Sequence, residues 1–200
     1  MIEETPPPIL LVGLGNRGRE YKANRHNVGF MIMDRLAARL GVSFSRLEHR
    51  ALVTKASFAE ARLILAKPQT YMNDSGIAVS ALVNYYKIPL QRLLVAYDDV
   101  DLPFGVLRLR ASGGSAGQKG MKSIIERLGD QSFPRLRFGI GRPPGRMDAA
   151  AYVLQDFSRD ETLLLPSLLD RAVEAILTFV ESGIDQAMTL YNGTVDSEAG

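Results

Sequence analysis

Residues 9–18 read Ile-Leu-Leu-Val-Gly-Leu-Gly-Asn-Arg-Gly, and this stretch indicates the class of fold. A short apolar run that ends in glycine is typical of a buried strand. A helix is expected next, because apolar residues recur at helical spacing over residues 28–40 and Gly41 follows as a stop signal. Strands and helices then continue to alternate. This order predicts a single-domain, three-layer α/β/α fold around a twisted, mostly parallel (mixed) central sheet.

The other elements are predicted from the same two periodicities. Strands are expected at residues 51–58, 62–67, 93–97, 106–110 and 135–140, and helices at residues 75–87, 121–128, 158–181 and 183–191. The long helix is expected to bend near Pro166. We expect one domain over residues 9–193, between a flexible extension at residues 1–8 and a loose tail at residues 194–200.

The composition excludes several kinds of site. The 200 residues include no cysteine, which excludes disulfides, zinc–thiolate sites and cysteine nucleophiles and fits a reducing cytoplasm. His26 and His49 are the two histidines, too few for a histidine-rich metal site, so no metal is expected. No apolar run approaches the ~20 residues of a membrane-spanning helix. The acidic, proline-rich start is unlike a secretory signal. We therefore expect a cytoplasmic protein.

The net charge of +2 conceals an uneven distribution. Residues 1–150 carry 22 Lys and Arg against 13 Asp and Glu, whereas residues 151–200 carry 2 against 9. Such asymmetry is typical of a basic face that binds a polyanion, with an acidic element elsewhere. Ordinary solvated charge would give the same counts, so both interpretations stay open.

The segment Gly13-Leu-Gly-Asn-Arg-Gly18 matches the G-x-G-x-x-G fingerprint of dinucleotide-binding sites. That fingerprint needs a helix that starts inside the motif and faces the pyrophosphate. Residues 19–27 show no apolar helical face, and Asp34, the nearest acidic candidate for the ribose, lies within the predicted helix. A dinucleotide-dependent oxidoreductase is therefore disfavoured. The glycines are expected instead to let a polar loop approach a ligand closely.

Four polar residues follow the predicted strands or close the loop before the first helix: Asn16, His26, Asn73 and Asp98. Ligands of open α/β sheets bind at the ends of strands. One histidine, one aspartate and carboxamides can form a hydrolytic site in which the histidine activates water and an amide donates to the oxyanion. Each residue could also serve a turn or a helix cap. A hydrolase without a metal or a cysteine nucleophile is the favoured interpretation.

Five ordered segments resemble the bacterial-type peptidyl-tRNA hydrolase family. They are residues 11–29 (with Leu-Val-Gly-Leu-Gly-Asn and Asn-Arg-His-Asn-Val-Gly), 67–76, 97–105, 113–122 and 135–141. The similarity runs from about residue 9 to residue 192. It implies an enzyme that cleaves the ester between a peptide and the 3′ ribose of tRNA, which recycles tRNA from peptidyl-tRNA released by the ribosome. It also implies a monomer that needs no cofactor, membrane or obligate protein partner.

The resemblance implies a role for each polar residue by its motif position. His26 would be the general base, and Asp98 would orient it. Asn16 would help to distinguish a blocked amino group from a free one. Asn73 would bind the substrate near the scissile ester.

The resemblance also implies contacts with tRNA. Tyr21 and Tyr71 would line the site near the tRNA end, and Arg110 and Arg137 would hold the 5′ phosphate of the acceptor stem. Period-two spacing supports a basic stripe that also includes Arg108, Arg135, Lys119, Lys122 and Arg142. Phosphate contacts of this kind dominate affinity without reading sequence. Two half-solvated strands would give the same spacing.

The chain departs from the family at residues 117–120, Gly-Gln-Lys-Gly, where many relatives show Gly-His-Asn-Gly. Lys119 can only donate, so a role that needs an acceptor cannot be assigned to it, although its charge suits phosphate or a substrate oxygen. This change keeps open an alternative, a non-catalytic RNA-binding paralogue of the splicing-factor type. The acidic helix at residues 158–181 is expected to expose its acids to water, away from the acceptor stem. Residues 145–153 are expected to form a mobile rim over the peptide site.

Overall fold

The computed structural model describes residues 6–193. The expected tail and the first five residues of the expected extension lie outside the described residues. The elements in chain order are β1 (Ile9–Gly13), α1 (Val28–Arg39), β2 (Arg46–Glu48), β3 (Ala51–Phe58), β4 (Ala61–Pro68), α2 (Ser75–Tyr86), β5 (Leu93–Asp99), β6 (Leu107–Arg110), α3 (Lys119–Leu128), β7 (Arg135–Gly139), α4 (Ala149–Val153) and α5 (Arg159–Tyr191).

Seven strands form one sheet in the order β2-β3-β4-β1-β5-β7-β6. The central strands β4, β1, β5 and β7 run parallel to one another. The outer strands β2, β3 and β6 run antiparallel to their neighbours, so the expected mixed sheet is confirmed. After β1, the chain adds β2, β3 and β4 on one side of β1, and it then adds β5, β6 and β7 on the other side. Strand order therefore reverses at β1, and such a switch point is where ligands of open α/β sheets bind.

Two apolar cores cover the two faces of the sheet, which confirms the three layers. Side chains alternate along a strand, so Leu11 joins the core under α1 and α5 whereas Leu10 and Val12 join the core under α2 and α3. All five residues of β1 are buried. A strand covered on both faces has no polar alternation, which is why residues 9–13 form a continuous apolar run.

Some elements differ from the sequence expectations. The short strand β2 was not predicted, and α4 lies where a mobile rim was expected. The helix α3 starts at Lys119, two residues earlier than predicted, because Gln118 serves as its N-cap. Pro166 keeps helical backbone angles. The interruption of α5 at Gly183, whose φ of 85° is accessible to glycine, agrees with the boundary between the two helices predicted at residues 158–181 and 183–191.

Two glycines of the G-x-G-x-x-G segment, Gly13 and Gly15, allow close packing inside the protein. A Cβ on Gly13 would lie 2.0 Å from the carbonyl oxygen of Gly29, and a Cβ on Gly29 would lie 2.4 Å from the backbone nitrogen of Leu14. A Cβ on Gly15 would meet the ring of Phe30 at 2.7 Å. The start of α1 therefore packs directly on the end of β1. This contact holds residues 24–27 above the carboxyl edge of the sheet.

The acidic residues of α5 pair with arginines of α1 in addition to facing water. Arg35 donates to Asp170 at 2.6 Å, and Arg39 lies 3.5 Å from Glu174. Hydrogen bonds from Arg35 hold the pKa of Asp170 below its ordinary value. The uneven charge along the chain is thus partly balanced within the fold. None of the helices in residues 6–193 is long and apolar enough to span a membrane.

Candidate active site

The carboxyl ends of β1, β4 and β5 border a cavity of about 900 Å³. Its lining includes all four residues that the sequence predicted as catalytic, namely Asn16, His26, Asn73 and Asp98. Tyr71 and Lys119 also line it. The fold thus brings together side chains that come from four separate segments of the chain. Part of the opposite wall is apolar and comes from α4 and from Leu154.

His26 and Asp98 form a buried hydrogen-bonded pair at the base of this cavity. Nδ1 of His26 lies 2.7 Å from Oδ2 of Asp98. A carboxylate only accepts hydrogen bonds, so Nδ1 carries the proton and Nε2 is left as the basic atom. Within residues 6–193, Nε2 has no hydrogen-bond partner. A histidine held in this tautomer by an aspartate is suited to accept a proton from water.

Asn16 is held by two residues that the sequence did not assign to the site. Its backbone N–H donates to Oδ1 of Asn27 at 2.9 Å, and its Oδ1 accepts the backbone N–H of Met72 at 2.8 Å. A backbone N–H can only donate, so the atom that faces Met72 is the oxygen. Nδ2 of Asn16 is therefore the free donor, and no residue between 6 and 193 accepts a hydrogen bond from it.

Asn73 and Tyr71 lie at the mouth of the cavity and are exposed, Tyr71 to 52%. The guanidinium of Arg17 lies 5.5 Å from the centre of the Tyr71 ring. Tyr21 ends a single 3-10 turn, Arg19–Tyr21, and is half-buried. Tyr21 is not among the residues that line this cavity, so its contact with the tRNA end stays a prediction.

Gln118 is a further buried polar residue of the cavity wall. Its Nε2 lies 3.1 Å from Oδ1 of Asp98 and 3.3 Å from Sδ of Met72. Its Oε1 accepts the backbone N–H of Met121 at 2.8 Å and so caps α3. From the sequence, residue 118 stands out only as a departure from a family pattern, because its partner Asp98 is 20 positions away.

The α4 wall is anchored to the segment that carries His26. The guanidinium of buried Arg25 lies 4.3 Å from the ring of Tyr152 and donates to the carbonyl of Asp156 and to Glu161, each at 2.8 Å. Asn24 donates to the carboxylate of Asp156 at 2.7 Å. These contacts fix the position of the α4 wall relative to the segment that carries His26. This anchor has no signal in the sequence, since it joins residues about 130 positions apart.

The basic stripe predicted on β6 and β7 is only partly available to a ligand. Arg108 pairs in register with Arg137, and Arg110 with Arg135, so the four share one face. Arg135 is 1% exposed and binds the carbonyls of Gly113, Gly114, Gln131 and Phe133, which removes it from the stripe. Its neighbour Arg137 pairs with Asp99 at 2.5 Å. Arg110 is exposed and forms no ion pair within residues 6–193.

The other basic residues of the predicted stripe are exposed. Lys119 stands at the cavity rim, while Lys122 lies 3.9 Å from Glu126 and Arg142 lies 3.1 Å from Asp101. Exposed pairs of this kind are weak, so both cations stay accessible to phosphate.

Tyr97 also lines the cavity, and burial raises the pKa of its hydroxyl to about 12, which keeps the hydroxyl neutral. Among residues 6–193, no three His, Asp or Glu side chains are grouped to hold a metal ion.

Comparison with known proteins identifies similar chains. The family described as Peptidyl-tRNA hydrolase matches residues 10–199. A peptidyl-tRNA hydrolase of Chloroflexus aurantiacus is 50% identical over 184 residues, which are 92% of this chain and 98% of that protein. A chloroplastic peptidyl-tRNA hydrolase of Arabidopsis thaliana is 48% identical over 193 residues, 94% of this chain and 67% of that protein.

Solved structures show the same fold. A crystal structure of peptidyl-tRNA hydrolase from Acinetobacter baumannii has a TM-score of 0.87 and 32% identity, and the match covers 93% of this chain and 95% of that chain. A 5′-methylthioadenosine/S-adenosyl homocysteine nucleosidase of Campylobacter jejuni has a TM-score of 0.53 and 9% identity, over 88% of this chain and 99% of that chain. This second likeness concerns the fold alone.

Proposed function

This chain belongs to the peptidyl-tRNA hydrolase family and hydrolyses peptidyl-tRNA, and we propose that His26 is the general base of that reaction. The resemblance of the five sequence segments to this family is confirmed. The observation that carries the proposal is the 2.7 Å hydrogen bond between His26 and Asp98. It lies in the cavity that Asn16 and Asn73 also line.

In the proposed reaction, Nε2 of His26 takes a proton from a water molecule as the water oxygen attacks the ester carbonyl carbon. Asp98 accepts the Nδ1 proton in a hydrogen bond and stabilises the imidazolium that forms. When the tetrahedral intermediate collapses, the bond between carbon and the 3′ ribose oxygen breaks. The imidazolium then returns its proton to that oxygen. The products are the peptide acid and a tRNA with a free 3′ hydroxyl.

The oxyanion of the tetrahedral intermediate needs a hydrogen-bond donor. Asn73 is the carboxamide at the mouth of the cavity, and its side chain forms no hydrogen bond with other described residues. Its NH2 group is the proposed donor, together with backbone N–H groups of residues 114–117 in the glycine-rich loop, since those of Gly113 and Gln118 already donate to Gln131 and Ser115. A donor of this kind contributes about 10²–10³-fold to turnover in other hydrolases.

Asn16 is the proposed selectivity residue for the blocked amino group. Its free Nδ2 can only donate, because its Oδ1 is already used by the backbone of Met72. The carbonyl oxygen of a peptide accepts such a hydrogen bond. A free ammonium group can only donate, so it cannot form a hydrogen bond with Nδ2 of Asn16, and its desolvation is not compensated. This favours peptidyl-tRNA over aminoacyl-tRNA.

The tRNA is proposed to lie across β6 and the rim of the cavity. Arg110 and Lys119 are exposed and without ion pairs in the described part of the chain, and Arg137 adds a cation that Asp99 partly neutralises. Tyr71 offers an aromatic face near the ester, stacked on Arg17. These contacts position the ester without reading the sequence of the acceptor stem.

We further propose a monomer in the cytoplasm. The bacterial relative from Chloroflexus matches over 98% of its own length, whereas the plant relatives are named chloroplastic and mitochondrial. A non-catalytic RNA-binding paralogue is not favoured, because the His26–Asp98 pair is intact. Light scattering of the purified protein tests the oligomeric state. Fractionation of the source cells tests the location.

The first test is single-turnover hydrolysis of N-acetyl-aminoacyl-tRNA by wild type and His26→Ala. Loss of a general base should slow cleavage by about 10²–10⁴-fold while tRNA binding persists. The control is His49→Ala, which removes the other, exposed histidine outside the cavity and should not change the rate. A His26→Ala enzyme that cleaves at the wild-type rate would exclude His26 as the base.

A further inference from the structure

Gln118 has more polar contacts at the active site than capping α3 requires. It is 9% exposed and stands at the point where the glycine-rich loop enters the helix. Capping needs one acceptor oxygen, which Oε1 supplies to Met121. The other end of the carboxamide reaches Asp98 and Met72. A serine or an aspartate would cap equally well without these contacts.

The direction of the carboxamide follows from its partners. The backbone N–H of Met121 can only donate, so it must face Oε1. Nε2 then faces Oδ1 of Asp98 at 3.1 Å, and a carboxylate oxygen is an acceptor. The Met121 N–H and the Asp98 carboxylate therefore both require the same orientation of the Gln118 amide. The first turn of α3 thus holds a fixed N–H donor against the carboxylate.

Asp98 needs both of its partners to keep one orientation. It is 3% exposed, and the outer torsion of an aspartate side chain is soft. His26 binds Oδ2 only, so a carboxylate bound at one oxygen could rotate about its Cβ–Cγ bond. A donor on Oδ1 opposes that rotation. It also satisfies a buried charge that would otherwise be under-coordinated.

We propose that Gln118 is a positioning residue that holds Asp98 in the orientation in which it binds Nδ1 of His26. This inference rests on the proposed role of His26 as the general base. The same Nε2 contacts Sδ of Met72, whose backbone N–H orients Asn16. One amide therefore connects the general base to the residue that selects the substrate. Lysine at the next position cannot take this role, since Lys119 is exposed.

The test separates positioning from capping by means of Gln118→Ser. Serine accepts the Met121 N–H at the N-cap but cannot donate to Asp98, so the melting temperature should stay near that of wild type. The kcat should fall by about 10–100-fold, the range expected for a lost hydrogen bond to a charged group. KM should not change, because the substrate does not touch this bond. Gln118→Glu is the isosteric second variant, which keeps the cap oxygen and places a carboxylate against Asp98.

A spectroscopic measurement gives a readout that does not depend on the substrate. Protein labelled with ¹⁵N-histidine shows two imidazoles, and His49→Gln assigns them. The Nδ1 proton of His26 should give a resonance protected from exchange in wild type and an exchange-broadened one in Gln118→Ser. The inference would be overturned if Gln118→Ser and Gln118→Glu both kept the protected resonance and the wild-type kcat. Hydrolysis that survives His26→Ala would instead overturn the proposed function, while the resonance would still decide the role of Gln118.

Discussion

The side chain of Asn27 forms two hydrogen bonds with the backbone of Asn16. Its Oδ1 accepts the N–H and its Nδ2 donates to the carbonyl, both at 2.9 Å. Beyond the end of β1, this carboxamide thus makes the two backbone hydrogen bonds that a neighbouring strand would otherwise make. The loop that carries His26 is thus joined to the loop that carries Asn16, so two active-site residues share one rigid support.

Asn27→Ala should destabilise the protein strongly. Asn27 is 2% exposed, and alanine would leave the N–H and carbonyl of Asn16 unpaired in a buried place. Each such group costs about 1–3 kcal/mol, so the free energy of unfolding should fall by about 2–6 kcal/mol. Urea denaturation measures the change. Asn84→Ala, an exposed site on α2, is the matched control and should show little effect.

Asn16→Asp should weaken the preference for a blocked amino group. One carboxylate oxygen would still accept the N–H of Met72, but the other would replace the free donor in the cavity. That oxygen repels a carbonyl oxygen and attracts an ammonium. The ratio of cleavage rates for N-acetyl-aminoacyl-tRNA and unblocked aminoacyl-tRNA should fall by about 10-fold or more, which corresponds to one charge-assisted hydrogen bond.

The control for this selectivity is Asn73→Asp, which makes the same chemical change at the mouth of the same cavity. It should lower kcat for the blocked substrate without favouring the unblocked one, because Asn73 is proposed to face the oxyanion. Equal changes of the ratio in both variants would show that added negative charge, and not the position of Asn16, sets the preference.

Arg110→Gln should weaken tRNA binding in a salt-dependent way. Arg110 is exposed at the end of β6, so it is free to contact phosphate. Loss of one phosphate contact should reduce the slope of log K against log salt by about 1. Arg35→Gln removes the same charge from α1, where Arg35 pairs with Asp170, and should leave the slope unchanged. Filter binding of uncharged tRNA at several salt concentrations measures both.

Much of the fold, and four polar residues that line the cavity, could be predicted because their signals are local. Continuous apolar runs indicated the central strands, and the polar residues at their ends indicated the cavity. The positions of Gln118 and Asn27 could not be assigned, since their partners lie 20 and 11 residues away and carry no pattern of their own. Arg135 was misassigned for a related reason. Period-two spacing indicates which side chains share a face but not that a loop covers one of them.

Glu60→Gly should stabilise the protein. Ala59 and Glu60 form the two-residue turn between β3 and β4, and their φ angles are 45° and 65°. A turn with two positive φ angles favours glycine, because other residues are strained there by about 1–2 kcal/mol. A gain of about 0.5–1 kcal/mol is expected once the extra freedom of unfolded glycine is subtracted. Gly41→Ala is the reverse test, since φ is 69° and the added methyl would meet no atom within 4 Å.

Arg25→Lys should loosen the α4 wall of the cavity. Lysine keeps the charge but loses the planar fork that binds Asp156 and Glu161 and the stacking on Tyr152. Amide hydrogens of residues 149–157 should exchange faster, and KM should rise because residues of this wall line the cavity in which we propose that the ester is bound. Faster exchange would show that the Arg25 contacts limit the mobility expected for residues 145–153.

The matched control is Arg39→Lys, which makes the same substitution in an exposed ion pair between α1 and α5, away from the α4 wall. Its guanidinium lies 3.5 Å from Glu174, and exposed pairs contribute about 0–1 kcal/mol. Exchange at residues 149–157 should therefore match wild type in this variant. If Arg25→Lys also left that exchange unchanged, the wall would be held by its own packing, in which Tyr152 donates to the carbonyl of Ile140 at 2.9 Å. A KM that rose without faster exchange would place the effect of Arg25 at neighbouring His26 instead.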